Sequence, residues 1–280
     1  MPNRSVHAPE QHQGRDLVTT NPPITKVAIC TPAYDGRVHV GYWRGCDDVK
    51  RTLSVNGCEV LHCEAGHSAN LPRLRNALTA QALDWGADAI LWIDSDVQPS
   101  GKDALRLVDA VNGGVSIVGA SIQKRPHTYN EKPVVAFKEA PDGLLHYDGK
   151  LVRVGAVPTA FCMVHRRVYE ALSAPRKRFG GLLTKPPMAR KLMNRDCKPA
   201  SPWFRNFYWY ELLPDANDPN AFHDDGEDYY FSRKALELGF WSYIHPQVRP
   251  IHHGSNVRLP VNFWDLYGGH FEGKGDENAR

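Results

Sequence analysis

The first half of the chain alternates short apolar runs with segments of helical periodicity, and this alternation limits the possible folds more than any other feature. The segment LPRLRNALTAQALDWGAD (71–88) carries apolar residues at helical spacing and contains a glycine near its end. Ser100, with Asp103 three residues later, resembles a capping box that opens a second helix. Strands and helices in this order predict an α/β fold, with a mostly parallel sheet and helices on both faces. The apolar runs are ITKVAIC (24–30), CEVLHCE (58–64), AILWI (89–93) and VSIVGASI (115–122).

The composition is that of a globular protein, with 42% hydrophobic and 23% charged residues among 280. The net charge of +3 is too small to argue by itself for a nucleic-acid partner. No apolar run approaches the roughly 20 residues of a membrane span, and the N-terminus lacks a secretory signal, so we expect a cytoplasmic protein without a membrane partner. The six cysteines lack paired spacing, which favours reduced thiols over a zinc site at Cys58, Cys63 and His67.

The chain is long enough for one large α/β domain or two small ones, and we predict a single domain over residues 25–267. Polar residues without periodicity predict a disordered arm over residues 1–24 and a polar tail over 268–280. Residues 175–202 contain eight Lys and Arg against one acid, Asp196, together with several Pro and Gly. That composition predicts a mobile basic loop within the less regular second half.

The apolar run AILWI leads directly into Asp94 and Asp96 in the stretch AILWIDSDVQP. Two carboxylates this close repel each other, and each is costly to remove from water unless a cation compensates it. A hard cation such as Mn²⁺ or Mg²⁺ binds one or two carboxylates and takes further oxygens from phosphate and water. Ligands of parallel sheets bind beyond the carboxyl ends of the strands, where residues 31–36 should meet the two aspartates. The pair therefore favours a metal that bridges the diphosphate of a nucleotide.

Three other interpretations of the aspartate pair compete with this one. An EF-hand loop is excluded because Pro99 stands where glycine is required. The nucleophile motif of an aspartyl phosphatase also follows an apolar strand, but Gln98 stands where that family usually has Thr or Val. A solvated turn without function is the third, because Asp-x-Asp by itself has little specificity.

Five segments in order resemble glycosyltransferases of the GT-A fold, similar to the family 2 type found in bacteria and their phages. TPAYDGRVH resembles their first nucleotide-binding loop, and RLRNALTAQALDWGADAILWIDSDVQP resembles the helix that leads into their DXD strand. GAVPTAFCMVHRRVYEAL is similar to their acceptor-side segment. GEDYYFSRKALELGF resembles the acidic xED motif, and IHHGS the metal-binding histidine segment. The resemblance covers roughly residues 24–255.

The resemblance implies a role for each matching residue. Asp96 and His252 would bind the metal, Asp94 would contact the ribose or the metal, and His253 is the second choice for the histidine ligand. Asp228 would be the general base, with Glu227 next in line, although acids at the start of a helix are also favoured by its dipole. The nucleotide-binding residues that the resemblance implies are Thr31, Pro32, Tyr34 and Asp35 around the base and ribose, and Arg75 and Asn76 towards the diphosphate or base.

We therefore predict a glycosyltransferase that uses Mn²⁺ or Mg²⁺ and a UDP-sugar donor. With one base, we expect a direct displacement that inverts the anomeric carbon. Residues 25–125 would form the nucleotide-sugar half and residues 126–267 the acceptor half. The basic loop 176–198, with aromatic residues nearby, predicts DNA with a hydroxymethylated base as acceptor, and a phage enzyme would act in the host cytoplasm. A small-molecule, saccharide or protein acceptor stays open, as do a nucleotidyltransferase or phosphatase on a similar sheet and a non-catalytic nucleic-acid-binding protein.

Overall fold

The structure of the protein is a computed structural model, and the ends of the chain and most of the basic loop lie outside the part that it describes. The predicted boundaries of the arm, the domain and the tail therefore stay predictions. The described residues are 21–33, 35–66, 68, 70–122, 137–174, 176–177, 183–184, 201–203, 205–214 and 222–253.

Strands and helices alternate as predicted through the first half, and short strands dominate the second. The helices are α1 (Val40–Val55), α2 (Leu71–Trp85), α3 (Gly101–Asn112), α4 (Arg166–Ser173) and α5 (Glu227–Leu236). The strands are β1 (Lys26–Ala33), β2 (Glu59–Gly66), β3 (Ala89–Ile93), β4 (Val97–Gln98), β5 (Ile117–Ala120), β6 (His146–Tyr147), β7 (Val152–Val154), β8 (Phe161–His165), β9 (Arg176–Lys177), β10 (Leu183–Thr184), β11 (Glu211–Pro214), β12 (Phe222–Asp225), β13 (Ser242–His245) and β14 (Ile251–His252).

One eight-stranded sheet organises the molecule, in the order β2-β1-β3-β8-β5-β13-β7-β6. β1 pairs in parallel with both β2 and β3, and β13 pairs in parallel with β5. β8 runs antiparallel to β3 and β5, and β7 runs antiparallel to β13 and β6. Six of the eight strands therefore run in one direction and only β7 and β8 run in the other, so the predicted α/β fold with a mostly parallel sheet is confirmed.

Both faces of the sheet are covered, because successive strand residues point to opposite sides. On one face Ile29 and Leu91 pack with the apolar sides of α1 and α3. On the other face Cys30 and Trp92, which are neighbours in the sheet register, pack with residues of α2, α4 and α5. Trp92 is fully buried, and truncating such a residue costs on the order of 3–5 kcal/mol.

Local sequence signals place α2 and α3 where the pattern predicted them. The Asn70 side chain accepts a hydrogen bond from the N–H of Arg73, and α2 ends at Gly86 in the left-handed region, at φ 89°. Ser100 caps α3 by accepting from the N–H of Asp103 at 3.1 Å. The Asp103 carboxylate accepts from Arg106 instead of completing the predicted capping box.

Helix α1 was not predicted, and it approaches the strand-end region closely. Its glycines permit this approach: a Cβ at Gly41 would collide with His253 and Gln98, and one at Gly45 would collide with the backbone of Pro99. The segment TAFCMVHRRVYEAL, predicted to run into a helix, forms β8 before α4 begins.

Two expectations from composition concern cysteines and membranes. Cys58 and Cys63 lie in the cores of opposite faces of the sheet, so they do not share a zinc site, and His67 lies outside the described residues. The described cysteines are free thiols, as predicted. Within the described ranges, no helix has the length and apolar character needed to cross a membrane.

Candidate functional site

The turn after β3 is held firmly by the backbone. Asp94 donates its N–H to the carbonyl of Ala160 at 2.9 Å, and Val97 donates to the carbonyl of Asp94 at 3.0 Å. The N–H of His39, just before α1, donates to the carbonyl of Ser95 at 2.8 Å. The loop after β1 and the aspartate turn after β3 therefore meet at the carboxyl ends of two neighbouring parallel strands.

Arg75 joins this turn to the start of α5. Its Nη2 lies 2.9 Å from Asp94 Oδ1, and its Nε lies 3.2 Å from Glu227 Oε1. The side chain is only 2% exposed and its guanidinium lies over the ring of Trp92. Burial alone would lower the pKa of Arg75, but the two carboxylates outweigh it and the pKa is raised. Nη1 is buried without a hydrogen-bond partner in the described structure, so one donor of the guanidinium is left over.

Asp228 lies beside this ion-paired group at the first turn of α5. Its Oδ1 accepts from the N–H of Tyr229 at 2.8 Å. Removal from water and the neighbouring charge of Glu227 raise the pKa of Asp228 to about 7, against the opposing effect of Arg75. Glu227 is fixed by Arg75, whereas Asp228 can gain or lose a proton near neutral pH. A carboxylate with these properties suits general-base chemistry.

The histidine segment reaches Asp96 through a short antiparallel pairing. β14 pairs with β4, with His252 opposite Val97, and the N–H of His253 donates to the carbonyl of Asp96 at 2.8 Å. His252 Nε2 lies 3.5 Å from Asp96 Oδ2. His253 instead hydrogen-bonds Gln98 through Nε2, at 2.9 Å. The geometry thus separates the two histidines and favours the predicted His252 as the partner of Asp96.

The ring of His253 also stacks on that of His39, with 3.9 Å between the ring centroids. Partial burial, together with the neighbouring His39, lowers the pKa of His253. Through its hydrogen bond to Gln98 and its stacking on His39, His253 anchors the histidine segment near the start of α1.

Two of the three predicted metal ligands lie close together. Among the residues with described positions, no group of three His, Cys, Asp or Glu side chains is arranged to hold an ion. The structure brings together two of the three predicted ligands, Asp96 and His252, while Oδ1 of Asp94 is bound by Arg75. One carboxylate and one imidazole fit a cation such as Mn²⁺ that takes its other ligands from phosphate and water.

The predicted nucleotide loop is only partly open to a ligand. Thr31 and Pro32 are buried, and the Thr31 hydroxyl lies 2.6 Å from Tyr42 OH, which lies 2.9 Å from His62 Nε2. Asp35 is exposed and accepts from the N–H of Arg37 at 3.0 Å. Tyr34 lies outside the described residues. The hydroxyl of Thr31 therefore belongs to an internal hydrogen-bond network that the sequence did not predict.

Asn76 holds the backbone of a neighbouring segment. Its side-chain oxygen accepts from the N–H groups of Phe207 and Tyr208, both at 3.0 Å. Its nitrogen donates to the Tyr208 carbonyl, also at 3.0 Å. With three hydrogen bonds to residues 207–208, this buried amide fixes that segment against α2.

No protein-family model matches the chain, and no curated protein matches its sequence. Similar solved structures include A197 from STIV, at 12% identity and a TM-score of 0.46, over 85% of this chain and 95% of that one. GalNAc-T7 with UDP, GalNAc and Mn²⁺ is similar at 11% identity and a TM-score of 0.45, over 82% of this chain and 44% of that one. A glycosyltransferase involved in the glycosylation of the major capsid of PBCV-1 has 14% identity and a TM-score of 0.31, over 52% and 62%. Likeness at this level does not assign the chain to the family of any of these proteins.

Proposed function

We propose that the protein is a metal-dependent glycosyltransferase that moves a sugar from a nucleotide sugar, UDP-linked in the first instance, to an acceptor hydroxyl. The observation that carries this proposal is the bridge through Arg75, which ties strand-end Asp94 to Glu227 beside Asp228. Acids from two distant parts of the chain thereby meet near the carboxyl end of β3. In open α/β sheets, nucleotides bind beyond the carboxyl ends of the strands.

In this proposal Asp96 and His252 hold the cation, with Asp94 on the donor side. A bound Mn²⁺ or Mg²⁺ would neutralise the charge that develops on a departing diphosphate. The leftover Nη1 donor of Arg75 suits an anionic oxygen of the donor. Asp35, and the backbone of Thr31 and Pro32, would face the nucleoside.

Asp228 would act as the general base in a direct displacement. The acceptor oxygen attacks the anomeric carbon, the bond from that carbon to the diphosphate oxygen breaks, and its electron pair leaves with the nucleoside diphosphate. The acceptor proton passes to the Asp228 carboxylate. A single base opposite the leaving group gives inversion at the anomeric carbon.

A nucleotidyltransferase or phosphatase on a similar sheet is the competing enzyme class. The raised pKa of Asp228 favours glycosyl transfer over nucleotidyl transfer, because a hydroxyl nucleophile must lose a proton whereas an anionic phosphate nucleophile need not. The test incubates the protein and Mn²⁺ with UDP-, GDP- and dTDP-sugars and measures each released product. Release of a nucleoside diphosphate is expected. Release of pyrophosphate or inorganic phosphate would replace the proposal with the competing class.

A further inference from the structure

The segment of residues 205–214 crosses from α2 to α5 and is fixed at both ends. Asn76 holds the backbone of residues 207–208, and the ring of Tyr208 stacks on Phe231 of α5 with 4.8 Å between centroids. Further along, Glu211 forms an ion pair with Arg233 of α5. The residues between these fixed points therefore have little freedom to move away from α5.

Two large aromatic residues between the fixed points face solvent. Trp209 is 49% exposed and Tyr210 is 45% exposed, whereas the preceding Phe207 and Tyr208 are buried. The aromatic run of this segment is thus divided, with half in the core and half on the surface. Adjacent exposed aromatic side chains on a fixed backbone are typical of binding sites rather than of ordinary surface.

The exposed pair is connected to the start of α5 through the β11–β12 hairpin. In the β11–β12 pairing, Glu211 lies opposite Asp225, two residues before Glu227. Because Tyr210 directly precedes Glu211, only a few Cα–Cα steps of 3.8 Å separate the aromatic pair from the start of α5. A ring held by Trp209 and Tyr210 would thus lie on the acceptor side of Asp228.

The cations described around this segment discriminate among acceptors. Arg233 is paired with Glu211, Lys234 with Glu237, and Arg75 with Asp94 and Glu227. A polyanion would have to compete with these carboxylates for its cationic partners, whereas a neutral ring needs none.

We propose that Trp209 and Tyr210 form an acceptor platform for a neutral saccharide ring, which presents one of its hydroxyls to Asp228. The inference rests on the proposed glycosyltransferase function. The apolar C–H face of a sugar ring packs on the flat aromatic faces, and its hydroxyls stay hydrated or bonded at the edge. The platform selects a neutral acceptor, and the DNA acceptor predicted from the basic loop becomes an outcome of the test.

The test first finds an acceptor and then removes the rings. The wild-type protein, with Mn²⁺ and its donor, is offered an array of neutral oligosaccharides and a hydroxymethylated DNA duplex. Transfer to the best oligosaccharide is then measured for W209A and Y210A. We expect the acceptor KM to rise about tenfold in each, and the ratio of transfer to donor hydrolysis to fall similarly.

Two controls make the result specific. W43A removes a tryptophan that is 52% exposed on α1, in the other half of the molecule, and we expect wild-type acceptor KM. Y210F keeps the ring and should restore most of the acceptor affinity, which a requirement for the hydroxyl would not allow. Thermal unfolding of W209A and Y210A should match that of W43A, because all three side chains are about half exposed.

The outcomes separate the two proposals. Transfer to the DNA duplex but to no oligosaccharide, or unchanged acceptor KM in both W209A and Y210A, would overturn the platform alone. If the wild-type protein releases no nucleoside diphosphate from any donor, the proposed function fails and the platform fails with it.

Discussion

The turn after β3 and the start of α5 each supply an acid that pairs with Arg75, but the two regions are built in different ways. The turn of residues 94–97 follows a fully buried strand, and its backbone is tied to neighbouring elements on both sides. The α5 side is built from a short hairpin and a segment that presents half-exposed aromatic residues. In the proposed reaction, the sheet would therefore fix the donor end, whereas a few long-range contacts would hold the acceptor end.

The largest effect is expected from Asp228→Asn, which removes the base and leaves the donor side intact. Turnover should fall by on the order of 10²–10⁴-fold, the usual worth of general-base catalysis, with donor affinity unchanged. Steady-state kinetics and donor titration measure the two separately. Asp109→Asn, at an exposed position on α3, is the matched control and should behave as the wild type. A loss confined to donor affinity would move the base elsewhere, with Glu227 next.

Arg75→Met should disturb both the turn after β3 and the start of α5, because Arg75 pairs with Asp94 in the first and with Glu227 in the second. Breaking a buried ion pair leaves uncompensated carboxylates, so the free energy of unfolding should fall by about 3–5 kcal/mol in urea titrations. Arg75→Met combined with Glu227→Gln should recover part of that loss. The control is Arg51→Met, which breaks an exposed pair with Asp48 and should cost no more than about 1 kcal/mol. Equal losses in the two single variants would show that the bridge does not stabilise the fold.

Asp96→Ala should affect the donor side, through the cation. We expect transfer to fall on the order of 10²–10³-fold, the typical cost of removing electrostatic stabilisation of a leaving group. EDTA should abolish transfer by the wild type, and Mn²⁺ or Mg²⁺ should restore it. His252→Ala should shift the metal concentration needed for half-maximal activity, whereas His253→Ala should lower thermal stability without that shift. The reverse result would exchange the roles of the two histidines.

Asn76→Ala should loosen the acceptor side alone. It leaves the N–H groups of Phe207 and Tyr208 without their acceptor, and a buried unsatisfied group of this kind costs about 1–3 kcal/mol. Unfolding titrations should show that loss, and acceptor KM should rise while donor KM stays constant. Asn56→Ala, at the exposed end of α1, should change stability by less than about 0.5 kcal/mol. A raised donor KM would instead support the ligand role that the sequence predicted for Asn76.

The pattern of residues 25–125 predicted their fold well because the strands and helices α2 and α3 are locally encoded. Capping residues and a glycine stop mark α2, and continuous apolar runs mark β1 and β3. Helix α1 was missed although its buried positions follow a helical period, because Gly41 and Gly45 weaken the helical signal while allowing the close approach that the fold needs.

The contacts within the site could not be predicted from local sequence. Arg75 and Glu227 are 152 positions apart in the chain. The two-residue strand β14 is defined by its pairing with β4, which its own sequence does not indicate. The same limit explains Asn76. The preceding Arg75 contacts Asp94, but the partners of Asn76 are 131 and 132 residues away along the chain.

The smallest expected effect is that of pH, which should raise turnover and lower stability as it increases. With the pKa of Asp228 raised to about 7, the carboxylate is mostly protonated at pH 6 and mostly ionised at pH 8, so turnover should rise about tenfold across this interval. Between pH 3.8, the ordinary pKa of an aspartate, and about 7, the folded state binds this proton more tightly than the unfolded state does. The contribution of Asp228 to stability is therefore present at low pH and is lost as pH rises towards 7. Asp228→Asn should remove both trends, with turnover low and flat by kinetics and a smaller pH slope of the melting temperature. A turnover profile that stays flat in the wild type would show that Asp228 does not titrate as the base, even if its substitution inactivates the protein.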